Sequence, residues 1–331
     1  MRAALVVGAV VTGLAAVVTT APAALGLSTT AVLAHAVSVR GAAALTLTLL
    51  AGASAVLVVR RRGGRGAAAT AGLLALVLVA CALGHAGVLA ARGTAERPPS
   101  TSADLVVVTL NTQVDGVSPR ELAALVVEVG ADVVALPETS AARARAAAAA
   151  TARSNGTSFA VFTEQVDDRG IAATSLLVRE GLGPHERVRA PALDLSAVAV
   201  APVDGDGPLL VAVHPPPPLP AAVGMDRWAE QVATAAGACS AATGAVVAGD
   251  LNATLDHAPL ADALDGGPCV DAAAVTDAAA LGTWPAAVPA LLGAPIDHVL
   301  VDARTWRPLS TQVVRVGRSD HRAVVVGLAR R

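Results

Sequence analysis

Polar residues able to bind a cation or move a proton stand at the ends of short apolar runs in the last two thirds of the chain. Asn111 follows residues 105–110, Glu138 follows 133–136, His214 follows 209–213 and Asp250 follows 245–248. Asp297 precedes residues 299–301, and Asp320-His321 precede 323–328. Carboxylate and amide oxygens are the donors a hard divalent cation prefers, and imidazole titrates near neutral pH. Each residue alone also has an ordinary structural role. Asn111 reads as a turn residue and Glu138 as a helix first-turn acid. Gly249-Asp250-Leu251-Asn252, Ile296-Asp297-His298 and Ser319-Asp320-His321 read as loops, and His214 as the edge of the rigid proline run 215–218.

The elements that must position them are strands and helices in alternation. Runs of four to six apolar residues without polar alternation predict strands buried on both faces. Between them, residues 118–129, 141–153 and 225–242 read as helices. In the first of these Leu122, Leu125, Val126 and Val129 share a face, and Ser118 with Glu121 forms a capping box. Strand–helix alternation predicts an α/β protein. Six strands that each carry a polar end residue place those residues on one rim, where α/β sites commonly lie.

In this order the segments VVVTLNTQ, DVVALPE, LLVAVHPP, VVAGDLNAT, GTWPAAVPALLGAPIDHVLV and GRSDHRAVVV resemble the endonuclease/exonuclease/phosphatase family, the DNase-I-like metal-dependent phosphoesterases. The resemblance spans residues 104–329, with GDLNAT and the terminal SDH the most specific pieces. It implies a four-layer α/β sandwich, two central β-sheets flanked by helices, and hydrolysis of a phosphate ester with Mg²⁺ or Mn²⁺. It also implies roles. Glu138 matches the main metal-binding glutamate, Asn111 the asparagine beside it, and Asp320 a carboxylate that binds or orients a metal. Asp250 matches the residue that orients or deprotonates the attacking water, and Asn252 one that holds the phosphate. His214 and His321 match the histidines that stabilise phosphorane charge or assist the leaving group. Asp297 matches the aspartate paired with one of them, which one being open. Two departures stand out. Gln113 replaces an acid common in nuclease relatives, which puts a second metal position in doubt, and Pro137 replaces the usual Gln before the glutamate. His298 and Trp284 read as loop supports, and His185 and His257 as surface or helix-start residues.

The first hundred residues have a different composition. The 331-residue chain is 54% hydrophobic and 15% charged, which excludes a disordered or disulfide-dense small protein. Residues 1–100 carry eight arginines and one acid, net +7; the remainder carries sixteen arginines against twenty-five acids, net −9. Lysine and tyrosine are absent, and the Ala/Val/Arg usage suggests a GC-rich bacterial source. Apolar runs over about 3–25, 41–59 and 67–90 predict three transmembrane helices within residues 1–91, because a bilayer core needs about 20 apolar residues per span. Arg60, Arg61, Arg62 and Arg65 lie between the second and third runs, so that turn is expected in the cytoplasm and residues 104–331 outside the bacterial cell membrane. A cleaved signal peptide ending near Ala21-Pro22-Ala23-Ala24 is the rival reading, with the same orientation for the domain. His35 and His85 read as helix-end residues. Residues 92–103, with Pro98-Pro99, read as an extended linker. Cys81 reads as an inert packing residue. Cys239 and Cys269, an even pair in an oxidising compartment, predict a disulfide.

Three substrate classes follow. A nonspecific nuclease needs a basic groove, and a domain at −9 without lysine disfavours nucleic acid as partner. A membrane-tethered phosphatase or phosphodiesterase acting on a lipid-linked or extracellular phosphate fits the layout. That layout resembles a bacterial glycopeptide-resistance membrane protein of the same family (VanJ-like), which implies polyprenyl-phosphate substrates by analogy. A catalytically inactive binding domain is the third class, disfavoured by so complete a polar set.

Overall fold

A computed structural model of the chain describes residues 2–60, 64–166, 170–205 and 207–331. The N-terminal part comprises helices α1 (Arg2–Thr20), α2 (Ala31–Ser38), α3 (Arg40–Arg60) and α4 (Gly64–Arg92). Two of them are long and apolar enough to cross a membrane, α3 and the stretch Ala68–Arg92 of α4. The first predicted span, residues 3–25, is shorter: α1 ends at Thr20, and Pro22 starts a one-turn 3-10 helix, Ala23–Leu25. Thr19 and Thr20 turn their hydroxyls back onto the Ala16 carbonyl at this end. Its described apolar stretch is Val6–Thr20. Helix α2 lies where no separate helix was predicted. Arg61 and Arg62 of the orienting turn lie outside the described residues.

The rest is a sandwich of two six-stranded mixed sheets. One contains β1 (Leu105–Thr109), β2 (Val133–Pro137), β3 (Phe159–Gln165), β4 (Ala173–Arg179), β11 (Trp306–Arg315) and β12 (Arg322–Arg330), in the order β11-β12-β1-β2-β4-β3. The other contains β5 (His185–Val188), β6 (Ser196–Pro202), β7 (Leu210–His214), β8 (Val246–Asp250), β9 (Cys269–Asp271) and β10 (Asp297–Asp302), in the order β5-β6-β7-β8-β10-β9. Val107, Val133, Leu176 and Val326 of the first sheet meet Val198, Leu210, Val246 and Val299 of the second in a shared core. Helices α5 (Pro119–Val129) and α6 (Ala141–Asn155) cover the first sheet's outer face. Helices α7 (Met225–Gly237) and α8 (Ala258–Leu264) cover the second sheet's outer face. A short helix, α9 (Ala272–Val275), follows β9. The expected four layers are thus present. The Ser118–Glu121 capping box opens α5, each side chain taking the other's backbone N–H.

The helical region is packed onto the sandwich. Ala34 of α2 belongs to the same apolar cluster as Trp228, Val232 and Leu260. Residues 92–103 carry no regular secondary structure after the end of α4, and they bond to the domain: Ala95 N–H donates to Asp277 O, Arg97 N–H to Thr311 O, and Val313 N–H to Glu96. His257, expected at a surface or helix start, is the residue before α8 but is fully buried; its Nε2 lies 3.0 Å from Ala34 O. Burial holds its imidazole down at about 4, and Arg40 and Arg92 hold the Asp256 carboxyl below its usual value although burial pushes it up.

Both pKa values are depressed in the fold, so both groups stabilise it most at higher pH. His257 contributes fully above pH 6.5, where the unfolded chain also leaves it neutral, and the contribution is lost as pH falls toward 4. The drop amounts to about 3 kcal/mol. Asp256 contributes above the ordinary carboxylate range and loses its contribution as pH falls through its lowered value. Thermal unfolding of the full chain between pH 7.5 and 4.5 should show this loss, and His257→Gln should flatten the curve between pH 6.5 and 4. Parallel curves for the two proteins would exclude the ring as its source.

Cys239 and Cys269 are joined by a disulfide that closes a 30-residue separation, and Cys81 is buried in the helical region. Loop-closure entropy makes the bridge worth about 3 kcal/mol. The pair Cys239→Ala and Cys269→Ala should therefore lower the unfolding midpoint. An unchanged midpoint, or two free thiols in the untreated protein by mass spectrometry, would contradict it.

Candidate active site

Strand direction gathers the polar residues. In each sheet two neighbouring strands are parallel, β1 with β2 and β7 with β8, so their C-terminal ends share a rim. Strands β10 and β12 run antiparallel to β8 and β1, which brings their N-terminal ends to that rim. Asn111 and Glu138 thus arrive from one sheet, His214 and Asp250 from the other, and Asp297 lies opposite Asp250 in register. Asp320 and His321 sit just before β12. Gly249 is required here: a Cβ on it would lie 1.9 Å from Val213 O.

Asn111, His214, Asp250, Asp297 and His321 are buried. Asn111 donates through Nδ2 to Glu138 Oε1 at 3.0 Å and to Asp250 Oδ2 at 3.1 Å, and its Oδ1 accepts from Gln113 N–H. As placed, its amide nitrogen ties two carboxylates together. Glu138 Oε2 accepts from Val114 N–H. Burial raises the Glu138 carboxyl, with Asn111 acting against it. Asp250 Oδ1 accepts from Asn252 N–H at 2.9 Å. Burial and then Asp297 push the Asp250 carboxyl up, while His321 and His214 pull it back. Asn252 donates through Nδ2 to Pro215 O.

The histidines differ. His321 Nδ1 lies 2.8 Å from Asp297 Oδ2, so the partner of Asp297 is His321, and its Nε2 faces Asp250 Oδ2 at 3.7 Å. Against burial, which would lower it, Asp297 and Asp250 raise this imidazole to about 10, so it is cationic near neutrality. His214 Nε2 lies 3.8 Å from Asp250 Oδ2 and 3.9 Å from Glu138 Oε1, and burial holds its imidazole below the ordinary value. Glu138 and Asn252 both have left-handed backbones, φ 55° and 49°, a conformation that non-glycine residues hold only where their surroundings fix it.

A divalent cation fits this donor set. Carboxylate oxygens of Asp250 and Asp297 lie within 4.8 Å of each other, beside His321, which as a cation offers no lone pair to a metal. Asp297 Oδ1 is buried with no hydrogen-bond partner among the described residues. Asp320 accepts from the Trp284 indole N–H through Oδ2 at 3.0 Å.

Trp284, read as a loop support, fastens Asp320. Other supporting residues were not legible as such in the sequence. Ser319 donates to Asn111 O and accepts from His321 N–H, tying β1 to the histidine. Thr283 Oγ1 accepts from the Ile296 and Asp297 amides. Trp228 donates from Nε1 to Asn252 O. His298, read as a loop support, bonds Asp271 and Ala253 O. Ser319 and Thr283 lie inside quoted segments, whereas nothing around Trp228 marks it.

The sequence model described as Endonuclease/Exonuclease/phosphatase family matches residues 108–321. Compared by sequence with curated proteins, the chain matches none. Among solved structures it resembles a humanized D. rerio TDP2 (17% identity, TM-score 0.51, covering 68% of this chain and 98% of that one). It also resembles an endonuclease/exonuclease/phosphatase from Beutenbergia cavernae (18%, 0.51, 69% and 72%). A third is the mannosyl-6-phosphatase Bt3783 of Bacteroides thetaiotaomicron (16%, 0.50, 68% and 100%). These likenesses show the fold.

Proposed function

The chain belongs to the endonuclease/exonuclease/phosphatase family and is a phosphoester hydrolase, and from that premise we propose a membrane-anchored enzyme acting outside the cytoplasmic membrane on a lipid-linked phosphate. The observation that carries this reading is how closely the site rim joins the helix ends. The segment that begins at Trp284, bonded to Asp320, reaches α3 at Leu291, whose carbonyl would lie 1.7 Å from a Cβ on Gly41. The segment that begins at Asn252 reaches α3 and α4 at Asp256. With α3 and α4 crossing the bilayer and their connecting turn inside, these ends stand at the outer surface and the site faces the headgroup layer. Trp284 and Leu291, both exposed, suit that boundary. The resemblance to the VanJ-like glycopeptide-resistance protein makes a polyprenyl phosphate the first substrate to try.

In this mechanism Asp250 orients the attacking water and takes its proton. The water oxygen bonds to phosphorus as the bond from phosphorus to the ester oxygen breaks. His321, held cationic by Asp297, gives a proton to the leaving oxygen or offsets charge on the phosphoryl group. Asn252 and His214 hold the phosphate. Glu138 and Asp320, with Asp250 and Asp297 adjoining, are the residues that would hold a divalent metal, with Asn111 positioning Glu138. These residues would let a bound Mg²⁺ or Mn²⁺ offset charge at the phosphoryl oxygens.

Nucleic acid is the weaker substrate. Besides the net charge of −9, two arginines that could contribute to a basic patch are engaged: Arg187 pairs with Glu164, and Arg322 is buried against the carbonyls of Gly282, Ala286 and Val288. The test is phosphate release by the full chain in liposomes from polyprenyl phosphate, compared with a water-soluble short-chain analogue at equal concentration. Preference for the bilayer-embedded ester is expected, and equal rates on both would argue against a lipid substrate.

A further inference from the structure

The loop from Leu251 to His257 joins the site to the helices, and it is held at both ends. At the site end, Asn252 takes a left-handed backbone. There its carbonyl accepts from Trp228 Nε1, and the Ala253 carbonyl lies 2.9 Å from His298 Nε2. At the outer end the polar anchors below come from the helical region. Arg40, at the first position of α3, donates from Nε and Nη2 to the two oxygens of Asp256 at 2.8 and 2.6 Å. Arg92, at the last position of α4, donates from Nη1 and Nη2 to the same two oxygens at 2.6 and 2.7 Å. His257 Nε2 bonds the Ala34 carbonyl, and Ala258 N–H donates to Ser28 Oγ. The His257 ring stands edge-on to Trp228, centroids 5.0 Å apart, so the two ends of the loop meet through one aromatic contact.

A buried arginine and a partly buried one on a single buried carboxylate are costly unless geometry and pairing are complete. A membrane tether needs no such clamp, since a flexible linker would hold the domain near the bilayer equally well. The clamp also falls four residues from Asn252, whose left-handed backbone, mild for an asparagine, is held between Trp228 and Asp250.

We propose that Asp256 is a positioning residue: Arg40 and Arg92 clamp it, the clamp keeps Asn252 in place beside Asp250, and turnover therefore depends on docked helices even for an ester that never touches the membrane. This rests on Asp250 and Asn252 serving the hydrolysis proposed above.

The test uses the full chain in detergent with Mn²⁺ and two water-soluble esters, p-nitrophenyl phosphate and bis-p-nitrophenyl phosphate. Asp256→Asn should lower kcat about 10-fold or more, since small misplacements near reacting groups are that costly, with KM changed less than about twofold. Asp256→Glu, which keeps the charge, should restore most of the rate, and Arg92→Gln should fall between. Hydrogen exchange at residues 251–257 should rise in the same order. A folded Asp256→Asn or Arg92→Gln protein with wild-type kcat and unchanged exchange overturns the proposal and leaves the helices a tether. If Asp256→Asn does not fold, Arg92→Gln decides, because Arg40 still pairs with Asp256. If the wild-type chain hydrolyses neither ester, soluble esters are not substrates, as the lipid reading allows. Exchange at 251–257 then decides the clamp alone: faster in Arg92→Gln supports it, unchanged overturns it.

Discussion

Asp250→Asn is expected to lower kcat for metal-dependent phosphate release by about 10²- to 10⁴-fold, the range for loss of a positioned general base. Asp250 accepts from Asn111 and from the Asn252 amide, and it faces both histidines and Asp297. An asparagine there is nearly isosteric but can neither take a proton nor offer two anionic oxygens. The fold should be retained by circular dichroism, since the strand register of β8 with β7 and β10 does not depend on the charge. Steady-state kinetics on any accepted ester checks this. A variant within about threefold of wild type would remove Asp250 from the chemistry.

Asp297→Asn comes second, with an expected loss in kcat of about 10²-fold or more. Asp297 Oδ2 holds Nδ1 of His321 as the protonated nitrogen, which leaves Nε2 aimed at Asp250 and the position of the substrate. Asparagine keeps the size but can present its NH₂ to the ring, which disfavours the cation and the ring orientation that the carboxylate enforces. The loss should appear in kcat with little change in KM, because the substrate contacts remain. His321→Ala should be no worse in combination with Asp297→Asn than alone, because the two residues act as one unit. Fully multiplicative losses in the double variant would show that they act separately.

The rim was legible in the sequence because each polar residue follows or precedes a run too apolar to be anything but a buried strand. Asn111, Glu138, His214, Asp250, Asp297 and His321 do meet in one place, and the pattern needed only the direction of six strands to predict it. Strands β3, β4, β5 and β6 were less visible. In β3 and β5 polar residues such as Glu164, Gln165, Glu186 and Arg187 interrupt the apolar run, because these strands are peripheral and partly exposed. Which histidine Asp297 meets is set by the register of β10 and by the turn before β12, neither of which composition encodes. The helix–domain contact was equally hidden. Arg40 and Arg92 stand at the ends of apolar runs, and no motif marks Asp256. Only the fold brings residues 40, 92 and 256 to one point, and it turns residues 92–103 from an expected linker into a strip bonded along the sandwich.

The most direct test of the central claim uses the full chain in proteoliposomes with Mg²⁺ or Mn²⁺, given polyprenyl phosphate and plasmid DNA in parallel, with Asp250→Asn and EDTA as controls. Phosphate release from the lipid, absent in the variant and with chelator, while the plasmid stays intact, is the predicted result. Nicked plasmid with the lipid untouched, lost in the same variant, would contradict it and make the protein a nuclease whose local groove outweighs a net charge of −9.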